Sequence, residues 1–160
     1  MNMDITLLAK RLITEAASHN ITIALAESCT GGLIAGSVTD VSGASKVFLG
    51  SAVTYSNEAK IDILGVDPQT INDFGAVSSE CAEEMAEGAR RIFGSDIALS
   101  VTGIAGPDGG SEEKPVGTVW FGISQSGKTW TFKKNFVGER ELIRSSAVKT
   151  ALTSLIERMK

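Results

Sequence analysis

Three short apolar segments, separated by helical patterns, constrain the fold of this chain more than any other feature. They span residues 21–26, 47–55 and 96–103 and have the length of buried strands. Helical periodicity or capping residues mark the remaining regular segments, which are residues 4–19, 33–41, 56–64, 79–93 and 139–159. This alternation predicts an α/β protein, a three-layer α/β/α sandwich with a largely parallel sheet.

Two further strands are predicted after the third apolar segment. The stretches GTVWFGIS and TWTFKKNFV flank residues 125–128, a pattern typical of a β-hairpin. The hairpin would add an antiparallel excursion to the sheet. Residues 65–78 contain Pro68 and Gly75 and are predicted to form turns. Because no linker-like stretch or internal repeat interrupts the pattern, residues 1–160 are predicted to form a single domain.

Composition and charge exclude several functional classes. The chain of 160 residues has a net charge of −4 and no block of basic residues, which argues against a nucleic-acid partner. No window approaches 18 apolar residues and the N-terminus lacks a signal-peptide pattern, so we expect no membrane association. Cys29 and Cys81 lack metal-ligand spacing and suit a reducing compartment. A cytoplasmic protein without a bound metal is therefore predicted.

The predicted topology brings distant polar segments to one edge of the sheet. The carboxyl ends of parallel strands share an edge, and open α/β sheets bind ligands there. The segments AESCTGG (26–32), 55–57 and 103–107 follow the three apolar strands. The second strand of the hairpin returns to the same edge and delivers residues 137–140. We therefore expect these four segments to form one cleft.

Ser28 is the candidate nucleophile in this cleft. The only histidine, His19, precedes the first strand and belongs to the opposite edge, which excludes a Ser-His-Asp triad. Lys60 is the candidate base, because a lysine desolvated in a pocket can act as a neutral amine. Tyr55 could relay a proton or only pack at the strand end. Cys29 is a competing nucleophile, ranked below Ser28 because it also lacks a histidine partner.

Glycine-rich segments and an arginine are candidate binding groups for an anion. The turn at residues 28–32 would expose backbone N–H groups at a helix N-terminus, which suits a phosphate or an oxyanion. A turn closed by a capping Ser or Thr is the alternative. The glycines of residues 103–110 would let the backbone approach a ligand closely. Arg140 could clamp a phosphate or pair with Glu139 or Glu141 at the surface.

Four long stretches make the sequence similar to a known family. AESCTGGLIAGSVTDVSGAS, VTYSNEAKIDILGV, FGAVSSE and SVTGIAGPDGGSEEKPVGTVWFGI closely resemble the C-terminal domain family of the competence/damage-inducible protein CinA. The resemblance covers nearly the whole chain. One departure is that the family often has Gly-Asp-Arg where this chain has Gly138-Glu139-Arg140.

The family includes nicotinamide mononucleotide deamidases. The resemblance therefore implies an amidohydrolase that converts nicotinamide mononucleotide and water to nicotinate mononucleotide and ammonia, without a metal or an organic cofactor. It implies that Ser28 is the nucleophile, that Lys60 is its base and that Tyr55 assists. The candidate substrate-binding residues are Cys29, Thr30, Gly31, Gly32, Asn57, Gly103, Ala105, Gly106 and Arg140.

A non-catalytic role is the alternative prediction. A glycine-rich turn binds anions whether or not chemistry follows, so the chain could be a nucleotide-binding module or an adaptor linked to competence or DNA damage, as the family name suggests. A small-molecule nucleotide is the predicted ligand in either case. Trp120 and Trp130 are expected to be exposed and therefore favour a homo-oligomer, with a dimer as the first choice.

Overall fold

The computed structural model describes residues 3–160, which form six α-helices and five β-strands. The helices are α1 (Met3–Ser18), α2 (Leu33–Thr39), α3 (Asn57–Leu64), α4 (Pro68–Phe74), α5 (Ser79–Phe93) and α6 (Arg140–Arg158). The strands are β1 (Ile23–Glu27), β2 (Phe48–Val53), β3 (Ile97–Gly103), β4 (Thr118–Gln125) and β5 (Lys128–Asn135). A short 3-10 helix at Ala44–Lys46 precedes β2.

The five strands form one sheet in the order β2-β1-β3-β4-β5. β1 pairs in parallel with both β2 and β3, whereas β4 is antiparallel to β3 and to β5. β5 therefore runs in the same direction as the first three strands, and the predicted antiparallel excursion consists of β4 alone. The last residue of β1, Glu27, is in register with Val53 and Val101. The segments that follow these three residues consequently start at the same edge.

The core lies on both faces of this sheet, as the three-layer prediction requires. Alternation along β1 directs Leu25 to one face and Ala24 to the other. The Leu25 face packs against α1, α2 and α6, and the Ala24 face packs against α3 and α5. On the second face, the small side chains of Ala24 and Ala26 allow α5 to approach the sheet closely. The prediction of an α/β/α sandwich is confirmed.

One close approach between helices depends on a glycine. Gly88 in α5 is buried, and a Cβ atom at this position would collide with the carbonyl oxygen of Leu64 at the end of α3. By contrast, a Cβ atom at Gly36 in α2 would meet nothing within 4 Å. The two helical glycines therefore have different roles: Gly88 is required by packing, whereas Gly36 is not.

Residues 65–78, predicted to be rich in turns, also contain a helix that the sequence analysis did not predict, because α4 occupies the middle of this segment. Asp67 is the N-cap, and its side chain accepts a hydrogen bond from Gln69 N at 2.9 Å. Pro68 occupies the first turn, where its fixed φ suits a helix and its missing N–H costs nothing. Gly75, with φ +82°, follows the end of the helix.

The two tryptophans are half-buried, so the expectation that they are exposed is wrong. Lys133 Nζ lies 5.7 Å from the ring centroid of Trp120, and the Arg158 guanidinium lies 3.7 Å from that of Trp130. Each indole is thus covered on one face by a cation of this chain. The dimer stays a prediction, without support from these two side chains. None of the helices within residues 3–160 is long and apolar enough to cross a membrane.

Candidate active site

The side chains of Ser28 and Lys60 meet at the carboxyl edge of the sheet. Lys60 Nζ lies 2.9 Å from Ser28 Oγ, 2.9 Å from Thr54 O and 3.0 Å from Tyr55 O. Ser28 directly follows β1, and Lys60 lies in the first turn of α3. Ser56 begins that helix as its N-cap and accepts a hydrogen bond from Ala59 N at 3.0 Å. The cap fixes the start of α3 and therefore the position of the lysine.

The environment of Lys60 favours a neutral amine. Its side chain is 1% exposed, and no carboxylate within residues 3–160 forms an ion pair with it. Burial lowers the pKa of Lys60 below its ordinary value of 10.5. A neutral amine has two N–H donors and one lone pair. The carbonyls of Thr54 and Tyr55 can take both donors, which leaves the lone pair for the Ser28 hydroxyl proton.

The thiol beside Ser28 is poorly suited to act as the nucleophile. Cys29 is 7% exposed, and burial raises its pKa to about 11, so the reactive thiolate is scarce near neutral pH. The Lys60 amine contacts the Ser28 hydroxyl instead. The geometry thus favours Ser28 over Cys29, in the order that the sequence suggested.

Glu27, the last residue of β1, holds the turn after Ser28 from the inside of the protein. Its fully buried carboxylate accepts four hydrogen bonds. The donors are Thr30 Oγ1 at 2.8 Å, Ser51 Oγ at 2.9 Å, Ile34 N at 3.0 Å and Ala35 N at 3.1 Å. The N-terminal amides of α2 are therefore satisfied by a carboxylate of the same chain. The amides of Ile34 and Ala35 are therefore not available to a phosphate, and an anion site in the turn at residues 28–32 stays a prediction.

Arg144, in the second turn of α6, holds the same turn from the other side. Its Nε donates to Cys29 O at 3.0 Å and its Nη2 donates to Thr30 O at 3.2 Å. A Cβ atom at Gly31, where φ is +57°, would approach Arg144 Nη2 to 3.2 Å. Gly32 also has a positive φ, +99°, which a side chain rarely adopts. Both glycines are thus required by the shape of the turn.

Three backbone N–H groups in this turn, those of Cys29, Thr30 and Gly32, have no acceptor in the described residues, but Thr30 is fully buried. Gly31 N–H is already engaged, because it donates to Ser28 O at 3.0 Å. Cys29 N–H and Thr30 N–H donate to no other residue in the described part of the chain. Of the residues expected to donate to an oxyanion, Cys29 therefore stays a candidate, whereas Gly31 is engaged and Thr30 has no exposed surface.

Arg140 links two of the converging segments to the start of α6. Its Nη1 donates to Gly106 O at 2.8 Å and its Nη2 donates to the Tyr55 hydroxyl at 3.2 Å. Neither Glu139 nor Glu141 forms an ion pair with it in the described residues. Tyr55 is 59% exposed and reaches Lys60 through its backbone carbonyl, not its hydroxyl. The convergence of four segments at one edge is confirmed.

Two glycines at the end of β3 and in the loop that follows it lie close to other residues of this chain. A Cβ atom at Gly103 would lie 2.7 Å from Val119 Cγ2. At Gly106, where φ is +80°, a Cβ atom would collide with Val116 Cγ1. Ala105 is 6% exposed and belongs to the core. Packing of the loop against β4 and residue 116 accounts for these small residues.

Two other residues considered from the sequence make no contact with the Ser28–Lys60 dyad. Asn57 is exposed at the first position of α3, next to the capping Ser56. His19 is exposed after the end of α1, at the opposite edge of the sheet, with its Nδ1 2.9 Å from Glu15 O. No group of three or more potential metal-ligating side chains occurs among residues 3–160.

Sequence reasoning missed Glu27 and Arg144, although each leaves a signal. Glu27 is an acid at the end of an otherwise apolar strand, directly before a turn and a helix. Arg144 lies four residues after Arg140, so both point to the same face of α6.

The site is therefore a serine hydroxyl beside a buried lysine, at the carboxyl edge of an α/β/α sandwich. A profile of the CinA C-terminal domain family matches residues 5–159. A CinA-like protein of Fervidobacterium nodosum is 51% identical over 137 residues, which cover 86% of this chain and 34% of that protein. A CinA-like protein of Endomicrobium trichonymphae is 52% identical over 147 residues, covering 92% and 34%.

Solved structures agree with this comparison. The competence/damage inducible protein CihA from Agrobacterium tumefaciens is similar with a TM-score of 0.95 and 44% identity, covering 98% of this chain and 96% of that one. A CinA superfamily protein from Enterobacter cloacae has a TM-score of 0.94 and 31% identity, covering 100% and 95%. The chain belongs to the CinA C-terminal domain family. It spans about a third, 34%, of the length of these two curated relatives.

Proposed function

We propose that this chain is an amidohydrolase that converts nicotinamide mononucleotide and water to nicotinate mononucleotide and ammonia. The contact of 2.9 Å between Lys60 Nζ and Ser28 Oγ carries the proposal, because the amine is 1% exposed and has no carboxylate partner in the described residues. Such an amine can accept the proton of a hydroxyl nucleophile. Membership of the CinA family supports a CinA-type function, and the substrate follows from the resemblance to its deamidases.

In the first half of the reaction, Ser28 Oγ attacks the carboxamide carbon and its proton moves to Lys60 Nζ. The bond from Oγ to carbon forms, and the carbonyl oxygen becomes an oxyanion. The N–H group of Cys29, which has no acceptor in the described residues, would donate to this oxyanion. Each such donor typically contributes about 10²–10³ in rate. The positive pyridinium ring withdraws electrons and makes the carbon easier to attack.

In the second half, the C–N bond breaks and the leaving nitrogen takes the proton from Lys60 and departs as ammonia. Water then attacks the nicotinoyl ester on Ser28, and the neutral lysine accepts a proton from that water. Collapse of the second tetrahedral intermediate releases nicotinate mononucleotide. The proton returns to Ser28 Oγ, and the dyad is restored.

Arg140 is the proposed partner of the substrate phosphate. Its guanidinium bridges Gly106 O and the Tyr55 hydroxyl at the carboxyl edge. Arginine binds phosphate with two parallel N–H donors, and the phosphate would replace the tyrosine hydroxyl on Nη2. Tyr55 would then assist by holding Arg140 before the substrate arrives. Asn57 is exposed at the start of α3 and is the remaining candidate contact.

The test is to incubate the purified protein with nicotinamide mononucleotide and to quantify ammonia and nicotinate mononucleotide. Ser28→Ala should abolish both products while the fold is retained. Ser45→Ala, at an exposed serine, is the matched control and should be as active as the wild type. Cys29→Ser should also keep its activity. Turnover by Ser28→Ala that thiol alkylation stops would instead identify Cys29 as the nucleophile.

A nucleotide-binding or adaptor role is the competing outcome of this test. Tight binding of the nucleotide without turnover at any pH would contradict the amidase and favour that role. Steep salt dependence of binding to DNA would favour a nucleic-acid partner instead.

We further propose that the chain acts in the cytoplasm as a homodimer and that it needs no metal or organic cofactor. Light scattering on the purified protein measures the oligomeric state, and a monomer at all concentrations would contradict the dimer. Activity that survives treatment with a chelator is the expected result for a dyad that relies on Ser28 and Lys60 alone.

A further inference from the structure

We propose that the Thr54 hydroxyl accepts a hydrogen bond from the Lys60 ammonium group while Ser28 is bonded to the substrate. This role rests on the proposed function only in that Lys60 must take the proton of Ser28. It does not require that the substrate be a particular amide. Thr54 is a positioning residue in this role, because it acts on the base and does not touch the substrate.

The hydroxyl of Thr54 is buried without a hydrogen-bond partner. Thr54 has no exposed surface, and its Oγ1 contacts no donor or acceptor in the described residues. The buried hydroxyls of Thr30 and Thr102, by contrast, each donate to an oxygen of this chain. An unpaired buried hydroxyl is unfavourable, so packing alone does not explain a hydroxyl at this position. Such a group points to a role outside the resting state of the site.

The Thr54 hydroxyl lies on the side of the sheet that carries Lys60. Thr54 N–H donates to Glu27 O at 2.9 Å and so continues the strand alternation of β2, in which Ala52 packs on the face covered by α3. The Thr54 carbonyl oxygen lies 2.9 Å from Lys60 Nζ. Covalent geometry keeps Oγ1 within about 5 Å of that carbonyl oxygen, and rotation about χ1 can exchange the hydroxyl with the methyl group. The hydroxyl can therefore reach the amine without a change in the backbone.

The resting amine has no position for a further partner. Its three contacts are the carbonyls of Thr54 and Tyr55 and the hydroxyl of Ser28. A tetrahedral amine nitrogen has only three such positions besides its bond to carbon. Occupation of all three explains why Thr54 Oγ1 is unpaired at rest.

Attack by Ser28 frees one of these positions. The amine becomes an ammonium with three N–H donors, whereas Ser28 Oγ is bonded to the carbonyl carbon and becomes a poorer acceptor. The two backbone carbonyls take two of the donors. Lys60 is 1% exposed and forms no ion pair with a carboxylate in the described residues, so an unpaired third N–H would be costly. The Thr54 hydroxyl supplies the missing acceptor until the proton passes to the leaving nitrogen.

The experiment compares Thr54→Val, which replaces the hydroxyl by a methyl group of similar size, with Thr54→Ser, which keeps the hydroxyl. Thr54→Val should lower kcat for ammonia release by about tenfold to a hundredfold, the range of a hydrogen bond to a charged group. Thr54→Ser should retain most of the activity. Ser95→Ala is the matched control, because Ser95 Oγ is also buried and unpaired but precedes β3, at the opposite edge of the sheet. It should retain the wild-type kcat.

Two readouts separate this role from a structural one. Thr54→Val should not lower the midpoint of thermal unfolding, because it removes an unpaired buried hydroxyl. The midpoint of the pH profile of kcat/KM should also stay unchanged, since Ser28 Oγ fills the third position on Lys60 in the free enzyme. A loss of kcat that Thr54→Ser does not restore, or that accompanies a loss of stability, would identify a structural role and overturn the inference. Wild-type kcat in Thr54→Val would overturn it as well.

A second measurement does not depend on the substrate. A fluorophosphonate reacts with Ser28 Oγ by forming an O–P bond and expelling fluoride, while the hydroxyl proton passes to Lys60. The rate constant of labelling, followed by intact mass, should fall in Thr54→Val by a factor similar to that for kcat, and Ser28→Ala should not be labelled. A crystal structure of the labelled wild type should place Thr54 Oγ1 within about 3.2 Å of Lys60 Nζ. A hydroxyl that makes no contact with Nζ in that structure would contradict the proposed role.

The outcomes also distinguish this role from the proposed function. If the wild type is labelled at Ser28 but does not deamidate nicotinamide mononucleotide, the proposed function fails and the labelling rates still decide on Thr54. If the wild type deamidates nicotinamide mononucleotide and Thr54→Val matches it in both assays, only the role of Thr54 fails. A wild type inert in both assays contradicts both proposals.

Discussion

A lysine that lies between two backbone carbonyls and a serine hydroxyl has its proton equilibrium set by burial. The carbonyls of Thr54 and Tyr55 stabilise either form of the amine, because both the ammonium and the neutral amine can donate to them. Burial discriminates between the two forms and lowers the pKa of Lys60. Exclusion of water is therefore the largest influence on the pKa of Lys60, and the thiols of Cys81 and Cys29 act in the opposite direction.

The rate of ammonia release should increase with pH as Lys60 loses its proton. The midpoint should lie below the ordinary lysine value of 10.5, because burial lowers this pKa. Lys60→Arg keeps a positive charge that cannot be removed and should lower kcat by about 10²–10⁴. The pH profile of kcat/KM measures the midpoint. A wild-type profile that is flat over the whole range, or a fully active arginine variant, would rule out Lys60 as the base.

Arg140→Lys should affect substrates with and without a phosphate differently. A lysine offers a point charge instead of two parallel donors, so we expect KM for nicotinamide mononucleotide to rise by about tenfold. Nicotinamide riboside lacks the phosphate and should be turned over by the variant and by the wild type with similar KM. An equal loss for both compounds would show that Arg140 does not read the phosphate.

At the scale of the elements, the helices on the second face of the sheet approach one another more closely than side chains would permit. Gly88 in α5 lies against the end of α3, the helix that carries Lys60. The distance between these helices therefore helps to determine where the base lies relative to Ser28. A change at Gly88 is expected to reach the dyad through the position of α3.

Gly88→Ala and Gly36→Ala should change stability in opposite directions. At Gly88 the methyl group collides with Leu64 O, and overpacking of this kind costs about 1–3 kcal/mol. At Gly36 the methyl group meets nothing within 4 Å, so the helix propensity of alanine should add about 0.5–1 kcal/mol. Thermal unfolding of both variants measures the difference. Equal effects at both positions would contradict the packing argument.

The segment Gly138-Glu139-Arg140, where the family often has Gly-Asp-Arg, lies at the start of α6. Glu139 is the N-cap residue of this helix, but its side chain makes no capping hydrogen bond. Aspartate is among the preferred N-cap residues, and the longer glutamate is not. Arg140 nevertheless reaches Gly106 O and Tyr55. The start of α6 therefore lacks a side-chain cap, and Arg140 still contacts both groups.

For the molecule as a whole, the alkaline limit of stability should depend on its two buried thiols. Burial raises the pKa of both Cys29 and Cys81 to about 11, against an ordinary value of 9.0. Between these values the unfolded chain loses thiol protons that the folded chain retains. Stability is therefore fully present below about pH 9 and is lost as the pH rises towards about 11. Lys60 acts in the opposite sense, since its pKa is lowered on folding.

Cys81→Ala should reduce the loss of folding stability at alkaline pH, because it removes one of the two buried thiols. Val66→Ala, a deletion in the same buried cluster, is the control: it should lower the free energy of unfolding by a constant amount and leave the pH dependence unchanged. Urea unfolding from about pH 8 to about pH 11 compares the two variants with the wild type. If the free energy of unfolding of Cys81→Ala decreases with pH as steeply as that of the wild type, the thiol of Cys81 does not contribute.

Much of the architecture could be predicted because strand and helix periodicities are local signals. The order of the converging segments followed from topology alone, and it correctly placed Ser28, Lys60 and Arg140 at one edge. α4 is harder to predict, because Pro68 and Gly75 favour turns and obscure the helix-start pattern of Asp67-Pro68. Contacts between distant residues, such as Arg144 with the turn at Cys29, depend on side-chain directions that no local pattern specifies.

The carboxylate of Glu27 has a further consequence for how this site could change. Because it occupies the amides of α2, the reactive turn is complete before any ligand arrives. Under the proposed function, ligand selection would fall to a segment that is separate along the chain, the start of α6 with Arg140. A change in that segment would then alter the ligand without altering the contact between Ser28 and Lys60. The division makes the scaffold a practical starting point for redesigned amide hydrolysis.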